Sequence, residues 1–364
     1  MDTRIRTFVA EVVAPQAAAM SRGEGPPPDQ LVRAAGRARV AGLLVPTAFG
    51  GAGSTHAEFA GFIEAVARCC ASSSVVLDVH ISVASEPLLL FGTPEQRQRY
   101  LPRLASGDWT GAFALTEPSS GSDAAALSTT AVHDGDGWLL TGGKSFITNA
   151  GAASLYTVMA RTGGPGARGV SAFLVESSWP GVTTGPPLHK LGLRGSSTAE
   201  LVLDQVRVPG TNLLGEEGGG FRVAMAALDS GRVGISAQAV GIAQGALDAA
   251  VAVAGQRAGH GLPVDEVTLA QLAARIAASR ALTGYAAALV DAGRPATRAA
   301  SVAKLYATDT CMEVAAAAVD LCAPDSGDDG HPAAVAFRDA KACQIYEGTN
   351  QVQRVVIARE LLRA

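Results

Sequence analysis

Apolar positions in the first hundred residues recur at helical spacing. Ile5, Phe8, Val9, Val12 and Val13 share one face of a helix expected over residues 1 to about 20. Gly25-Pro26-Pro27-Pro28 breaks the chain, and Asp29 stands as a cap for a helix from Gln30 to Val40. A loop follows through Val45-Pro46 and 49–53, with Ser54 or Thr55 placed to cap the next helix. Helices are expected over 55–70 and 75–91. Thr93-Pro94-Glu95 opens another, with Thr as cap and Pro in the first turn. From Trp109 the period shortens to two. Leu127–His133 and Trp138–Thr141 flank Asp134-Gly135-Asp136-Gly137, a hairpin signal. Leu155–Arg161, Val170–Val175 and Ala199–Val208 read as further strands, the last with Leu201 and Leu203 on one face, then Val206 and Val208. After Asn212-Leu213-Leu214-Gly215 the pattern turns helical again. Phe221–Ala254, Val267–Asp291, Arg298–Leu321 and Gln351–Arg363 are Ala-rich and periodic, as in a helical bundle. The reading is an α+β multi-domain chain: a helical region over 1–109, a small all-β domain over 110–210 and a helical bundle over 211–364. Architecture of this kind names no function.

Composition narrows the setting. The chain has 364 residues, 48% apolar and 5% aromatic, which predicts two or three domains with cores of Ala, Val and Leu. Its apolar runs look far shorter than a membrane span, and Met1–Arg6 lacks an apolar signal core, so a cytoplasmic setting without membrane contact is expected. With net charge −4 and scattered Lys and Arg, no basic run points to nucleic acid. Cys69, Cys70, Cys311, Cys322 and Cys343 show no metal-binding spacing and read as incidental thiols of a reducing compartment. The sequence contains no HExxH, GxSxG or GxxxxGK[ST]. The glycines of 163–166 and 218–220 do not link a strand to a helix in the dinucleotide-binding order, and read as loops.

Three stretches carry candidate chemistry. In Gln344–Arg354 an apolar approach delivers Glu347 into Gly348, just before a helix that Thr349 or Asn350 can cap. Gly348 permits close backbone approach, and a helix start offers free N–H groups. Glu347 either acts on a ligand or only complements the helix dipole. Phe113–Asp123 is dense in hydroxyls; Thr116, Ser122 and neighbouring N–H groups suit carbonyls or phosphates, or else form a Ser/Gly surface loop. In Lys144–Gly151, Phe146 and Thr148 share one face of a strand end. A ring beside a hydroxyl suits a flat heteroaromatic, though one buried Phe on a strand is equally ordinary.

Together these pieces resemble one family. Ala114-Leu115-Thr116-Glu117-Pro118-Ser119-Ser120-Gly121-Ser122-Asp123 is similar to the signature of the acyl-CoA dehydrogenases. Phe146–Asn149, Lys190–Arg194, Leu228–Arg232, and Arg338–Lys341 leading into Tyr346–Thr349 agree in order and spacing, so the resemblance spans essentially the whole chain. It implies an N-terminal helical domain, a middle β-barrel domain and a C-terminal four-helix bundle, with FAD between the last two. It implies α,β-dehydrogenation of an acyl thioester, with Glu347 as catalytic base. Some members carry the base just before the Arg of Leu-Asp-x-x-Arg; here Gly231 occupies that position. By the same resemblance Phe113, Leu115, Thr116, Ser122, Phe146 and Thr148 contact the flavin, Thr349 and Gln351 close the site, and Arg257 reaches the FAD pyrophosphate of a neighbouring subunit. Ser122, Asp229, Arg232 and Gly348 fall near the thioester and its pantetheine arm.

Two departures alter the expectation. The Arg-x-x-Phe-Gly of the family reads Arg257-Ala258-Gly259-His260-Gly261, and its Gln-x-x-Gly-Gly-x-Gly loop is replaced by Asp320–Ser326. The adenosine end of FAD is thus expected to be held differently, in a homodimer or a homotetramer. Three functional readings follow. One is a short-chain acyl-CoA dehydrogenase that passes electrons to an electron-transfer flavoprotein. The second is a dehydrogenase acting on an acyl-carrier-protein thioester in polyketide extender-unit synthesis, of the methoxymalonyl type; the altered loop and the Ala/Gly/Arg-rich composition motivate it. The third is a non-catalytic binding module on the same fold.

Overall fold

The computed structural model describes residues 2–363. Seven helices open the chain: α1 (Thr3–Phe8), α2 (Ala14–Arg22), α3 (Pro28–Arg37), α4 (His56–Cys69), α5 (Ala71–Val79), α6 (Glu86–Phe91) and α7 (Pro94–Ala105). Single wide π turns at Val9–Val13 and His80–Ala84 join α1 to α2 and α5 to α6. Thr55 and Thr93 each form a reciprocal capping box, with Glu58 and Gln96. Asp29 does not cap α3. That helix starts earlier, at Pro28, because a proline already has helical φ and no N–H to satisfy. The continuous helix expected over 75–91 is instead interrupted by the His80–Ala84 turn and by Pro87.

The middle region is one eight-stranded sheet: β1 (Gly111–Ala114), β2 (Thr130–Asp134), β3 (Gly137–Thr148), β4 (Leu155–Arg161), β5 (Val170–Glu176), β6 (Val182–Thr184), β7 (Thr198–Pro209) and β8 (Leu213–Leu214). Its path runs β6-β7-β3-β2-β4-β5-β8, with β1 added in parallel to β4. Gly135, at φ +64°, turns the β2–β3 hairpin. In β7 the buried set switches from Leu201 and Leu203 to Val206 and Val208, and Gln205, at φ +51°, absorbs the extra residue. The short strands β1, β6 and β8 have too few residues to show a period.

Helices α8 (Gly220–Gly259), α9 (Glu266–Asp291), α10 (Thr297–Leu321), α11 (Pro332–Cys343) and α12 (Asn350–Leu362) complete the chain. Helix α11 was not anticipated: it is short, opens on a proline and is half alanine or other small residues. Small residues let α8 lie against α4, where a Cβ on Gly241 would meet the Glu64 carbonyl at 2.4 Å. Ala71–Phe91 and Gly220–Gly259 are long and apolar enough to cross a membrane, contrary to the reading of short apolar runs. Most of the first and more than half of the second are packed inside the protein, as core helices are. The core of the C-terminal helices continues into Val75, Val79 and Val83 and touches Phe113 and Tyr346. All three regions therefore meet around one place.

Candidate active site

The turn before α12 is held from several sides. Thr349 caps the helix, its hydroxyl accepting from Val352 N–H at 3.2 Å. The buried Lys304 of α10 donates to the Gly348 carbonyl and to Asn350 Oδ1, both at 2.9 Å. Gln353 Nε2 donates to the carbonyls of Glu347 (3.2 Å) and Gly348 (2.9 Å). Tyr346 Oη donates to Gln238 on α8, whose Nε2 donates to the Ala71 carbonyl. This scaffold imposes φ +54° on Glu347, a value rarely adopted outside glycine, followed by +90° at Gly348.

The strained turn directs the Glu347 carboxyl inward. Its Oε2 is sealed from solvent and has no hydrogen-bond partner. It lies against Gly231, where a Cβ would stand 2.2 Å from Oε2. Burial is the main reason the carboxyl is pushed up to about 8; the positive charges of Arg232 and Lys304 oppose that rise. Arg232 is itself buried and donates to Asp229 Oδ1 at 2.7 Å, while Thr297 donates to Asp229 Oδ2 at 2.6 Å. Glu347 is thus packed on α8 at Gly231, within the field of the Asp229-bound Arg232.

On the sheet side, Thr116 leaves β1 and its carbonyl accepts from Ser145 N–H at 2.8 Å, joining the hydroxyl-rich loop to β3. Beneath it lies a fully buried ion pair, Lys144 Nζ to Glu117 Oε1 at 2.7 Å. Ser128 and Thr129 add donors to the Glu117 carboxylate. Although burial acts the other way, these contacts hold Glu117 down at about 2, whereas burial lowers Lys144 to about 8. Above the pair, a register shift between Lys144 and Ile147 puts Phe146 at φ +60°, with the residue 68% exposed, beside the half-buried Thr148. Leu115 turns its side chain into the core, Phe113 packs between two cores, and Ser122 is exposed on the loop. An open ring, held in a strained conformation with the hydroxyls of Thr116, Ser122 and Thr148 near the same loop and strand end, is a donor set that fits a flavin. Buried Asn149 donates to the Val76 and Gly111 carbonyls and ties the sheet to α5.

Other expected residues lie elsewhere. Gln351 is exposed on the first turn of α12. Arg257 is 26 residues beyond Gly231 on α8, about 39 Å away at 1.5 Å per residue. There it donates to the Ala323 carbonyl, so it cannot serve the Glu347 end of the site in its own chain. Asp320 points to solvent, and Ser326 is buried with its hydroxyl on the Val319 carbonyl. Sequence reasoning missed the supports: Lys304, Gln353, Lys144 with Glu117, and Asp78. Charged residues set singly in apolar stretches were the available signal for Lys304 and Asp78.

A three-part helix–sheet–helix chain with a strained carboxyl turned inward against α8 fits the class of flavin-dependent acyl thioester dehydrogenases. The chain belongs to the acyl-CoA dehydrogenase family. Residues 1–108, 112–206 and 218–362 match its N-terminal, middle and C-terminal domains. Over 368 residues it is 44% identical to an acyl-CoA dehydrogenase of Bacillus subtilis (strain 168), covering 100% of this chain and 97% of that one. It is 41% identical to the mitochondrial short-chain specific acyl-CoA dehydrogenase of Homo sapiens, covering 99% and 88%. Among solved structures, butyryl-CoA dehydrogenase from Megasphaera elsdenii superposes with TM-score 0.93 at 36% identity, covering 100% and 99%. A chain of the structure "Electron transferring flavoprotein of Acidaminococcus fermentans" gives TM-score 0.96 at 39% identity, covering 99% and 96%. An acyl-CoA dehydrogenase complexed with FAD from Bacillus anthracis gives 0.92 at 29%, covering 99% of this chain and 65% of that one. The protein is therefore an FAD-dependent oxidoreductase of the acyl-CoA dehydrogenase type.

Proposed function

We propose that this chain oxidises the Cα–Cβ bond of a short acyl thioester of CoA, with Glu347 taking the α-proton. The observation that carries the reading is the sealed, unpartnered Oε2 of Glu347, aimed by a strained turn at the space over Gly231. Bound FAD supplies the acceptor for the β-hydride. The N–H of Glu347 donates to no backbone acceptor among the described residues, which suits it to the thioester oxygen as charge develops there. Arg232 and Lys304 favour the carboxylate form of the base. Thr116, Ser122, Phe146 and Thr148 would hold the flavin from the sheet side, with Thr349 on the side of α12. The Asp229–Arg232 pair bounds the thioester arm.

Finer points follow on the same reading. Similarity to a chain of the electron-transferring flavoprotein structure supports an electron-transfer flavoprotein as acceptor. Exposed Val251, Leu262, Val267 and Tyr285 on and between α8 and α9, and the remote Arg257, support a homo-oligomer in which Arg257 serves a neighbouring subunit. Five free thiols, four of them buried, support a reducing, cytoplasmic compartment. The division at 109/110 and 210/211 is offered as the domain limits. Anaerobic titration of the FAD-loaded protein with butyryl-CoA and with matched carrier-protein thioesters is the test. Bleaching by the CoA ester supports the reading. Bleaching by carrier-protein esters alone transfers it to the carrier-protein branch, and bleaching by neither removes it.

A further inference from the structure

A second buried carboxyl shares the helix face that receives Glu347. Asp78, in the last turn of α5, is wholly buried, just before the π turn that carries Val83. Its Oδ1 receives only a shared hydroxyl: Ser82 Oγ lies 2.7 Å from the Asp78 carbonyl and 3.0 Å from Oδ1. Its Oδ2 has no partner and is sealed from solvent. The carboxyl rests on Gly234, where a Cβ would meet Oδ1 at 2.0 Å. Gly231, one turn earlier, receives Glu347 and Val83 in the same way. Side chains three residues apart on a helix face are about 5–6 Å apart at Cβ, so the two carboxyls lie side by side along α8.

Other acids inside this protein, Glu347 aside, each have a nitrogen partner: Glu86 Oε1 lies 2.9 Å from His56 Nε2, although its Oε2 is unpartnered. Glu117 has Lys144 and two N–H donors, Asp339 accepts from Leu193 N–H, and Asp229 has Arg232 and Thr297. Asp78 alone among these lacks a cation or N–H partner. Burial, together with the nearby Glu347, raises it well above the usual carboxyl range. A buried carboxyl with an idle oxygen, one helical turn from Glu347, is an unmet demand for a polar group on whatever lies against Glu347.

We infer that Asp78 determines substrate specificity by hydrogen-bonding a hydroxyl on the γ-carbon of a short acyl thioester. The inference rests on Glu347 as the base. With the α-carbon against Glu347, a γ-hydroxyl oxygen lies three bonds further along the chain, within reach of a carboxyl one turn away. The reaction is otherwise unchanged. The α-hydrogen leaves as a proton to Glu347, the β-hydrogen leaves with its electron pair to the bound flavin, and the 4-hydroxyacyl thioester becomes a 4-hydroxy-2-enoyl thioester with its hydroxyl retained. An unsubstituted butyryl chain presents a methyl group to Asp78 and leaves its oxygen unsatisfied.

The test compares 4-hydroxybutyryl-CoA with butyryl-CoA in flavin reduction, and 4-hydroxycrotonyl-CoA with crotonyl-CoA in calorimetric binding, for wild type, Asp78→Ala and the isosteric Asp78→Asn. We expect wild type to favour the hydroxylated member of each pair by about 10- to 100-fold. Asp78→Ala removes that preference and improves butyryl-CoA, and Asp78→Asn retains part of it. Equal use of the two acyl groups by wild type, or a preference unchanged in Asp78→Ala, overturns the inference while leaving Glu347 as base. Failure of every thioester to reduce the flavin overturns the underlying reading of Glu347 instead.

Discussion

The Glu347 carboxyl occupies the space that a side chain at position 231 would fill: a Cβ on Gly231 would stand 2.2 Å from Oε2 and 2.7 Å from Cδ. The glycine on α8 is thus the steric complement of the Glu347 carboxyl. An alanine must push either the carboxyl or Val83, whose Cγ1 is 2.7 Å from the same point. Because ångström misplacement of a reacting group costs about 10²-fold, we expect Gly231→Ala to slow flavin reduction at least that much while retaining FAD. Stopped-flow reduction and flavin content check both halves.

The proposed base sets a pH dependence. Burial pushes Glu347 up to about 8, so at lower pH most of the base carries a proton and cannot accept another. We expect the reduction rate constant to rise about tenfold per pH unit below that value and to level above it.

The same shift has the opposite effect on stability. The native state holds a proton that the unfolded chain releases near 4.5, so the contribution of Glu347 to stability falls as pH rises from about 4.5 to about 8. Glu347→Gln has no such loss. Its melting temperature should exceed that of wild type by a margin that widens through this window, as read by calorimetry at several pH values.

Lys304 should affect both positioning and titration. Lys304→Met removes the donors to Gly348 O and Asn350 Oδ1 and the positive charge that favours ionised Glu347. We expect the pH profile of flavin reduction to move to higher pH. A variant that only loosened the fold would lose amplitude without that displacement.

The buried pair beneath the hydroxyl-rich loop is a structural dependency. Lys144→Met leaves Glu117 charged, buried and without its cation, which costs about 3–5 kcal/mol. We expect a lowered denaturant midpoint and loss of bound FAD. The double variant Lys144→Met/Glu117→Gln, which leaves no buried charge, should recover much of the midpoint.

Elements with long periods were legible before the structure. α9 and α10 are found within a residue or two of their expected limits, because many apolar positions define each. Thr55, Thr93 and Thr349 cap as their positions suggest, since a cap needs only local geometry. β1, β6, β8 and α11 were not legible, because a few residues carry no period. At the site, motif residues could be named, but their supports could not. Gln238 meets Tyr346 across 108 residues and Lys304 meets Gly348 across 44, and no local pattern encodes such pairings. The strain at Glu347 was also hidden, because φ +54° at a glutamate is imposed by those distant contacts.

The most direct measurement is anaerobic reduction of the FAD-loaded Glu347→Gln protein by an acyl-CoA that reduces wild type. The variant is expected to bind FAD and thioester as wild type does, with a reduction rate lower by about 10²-fold or more. Reduction at near-wild-type rate would contradict Glu347 as the base.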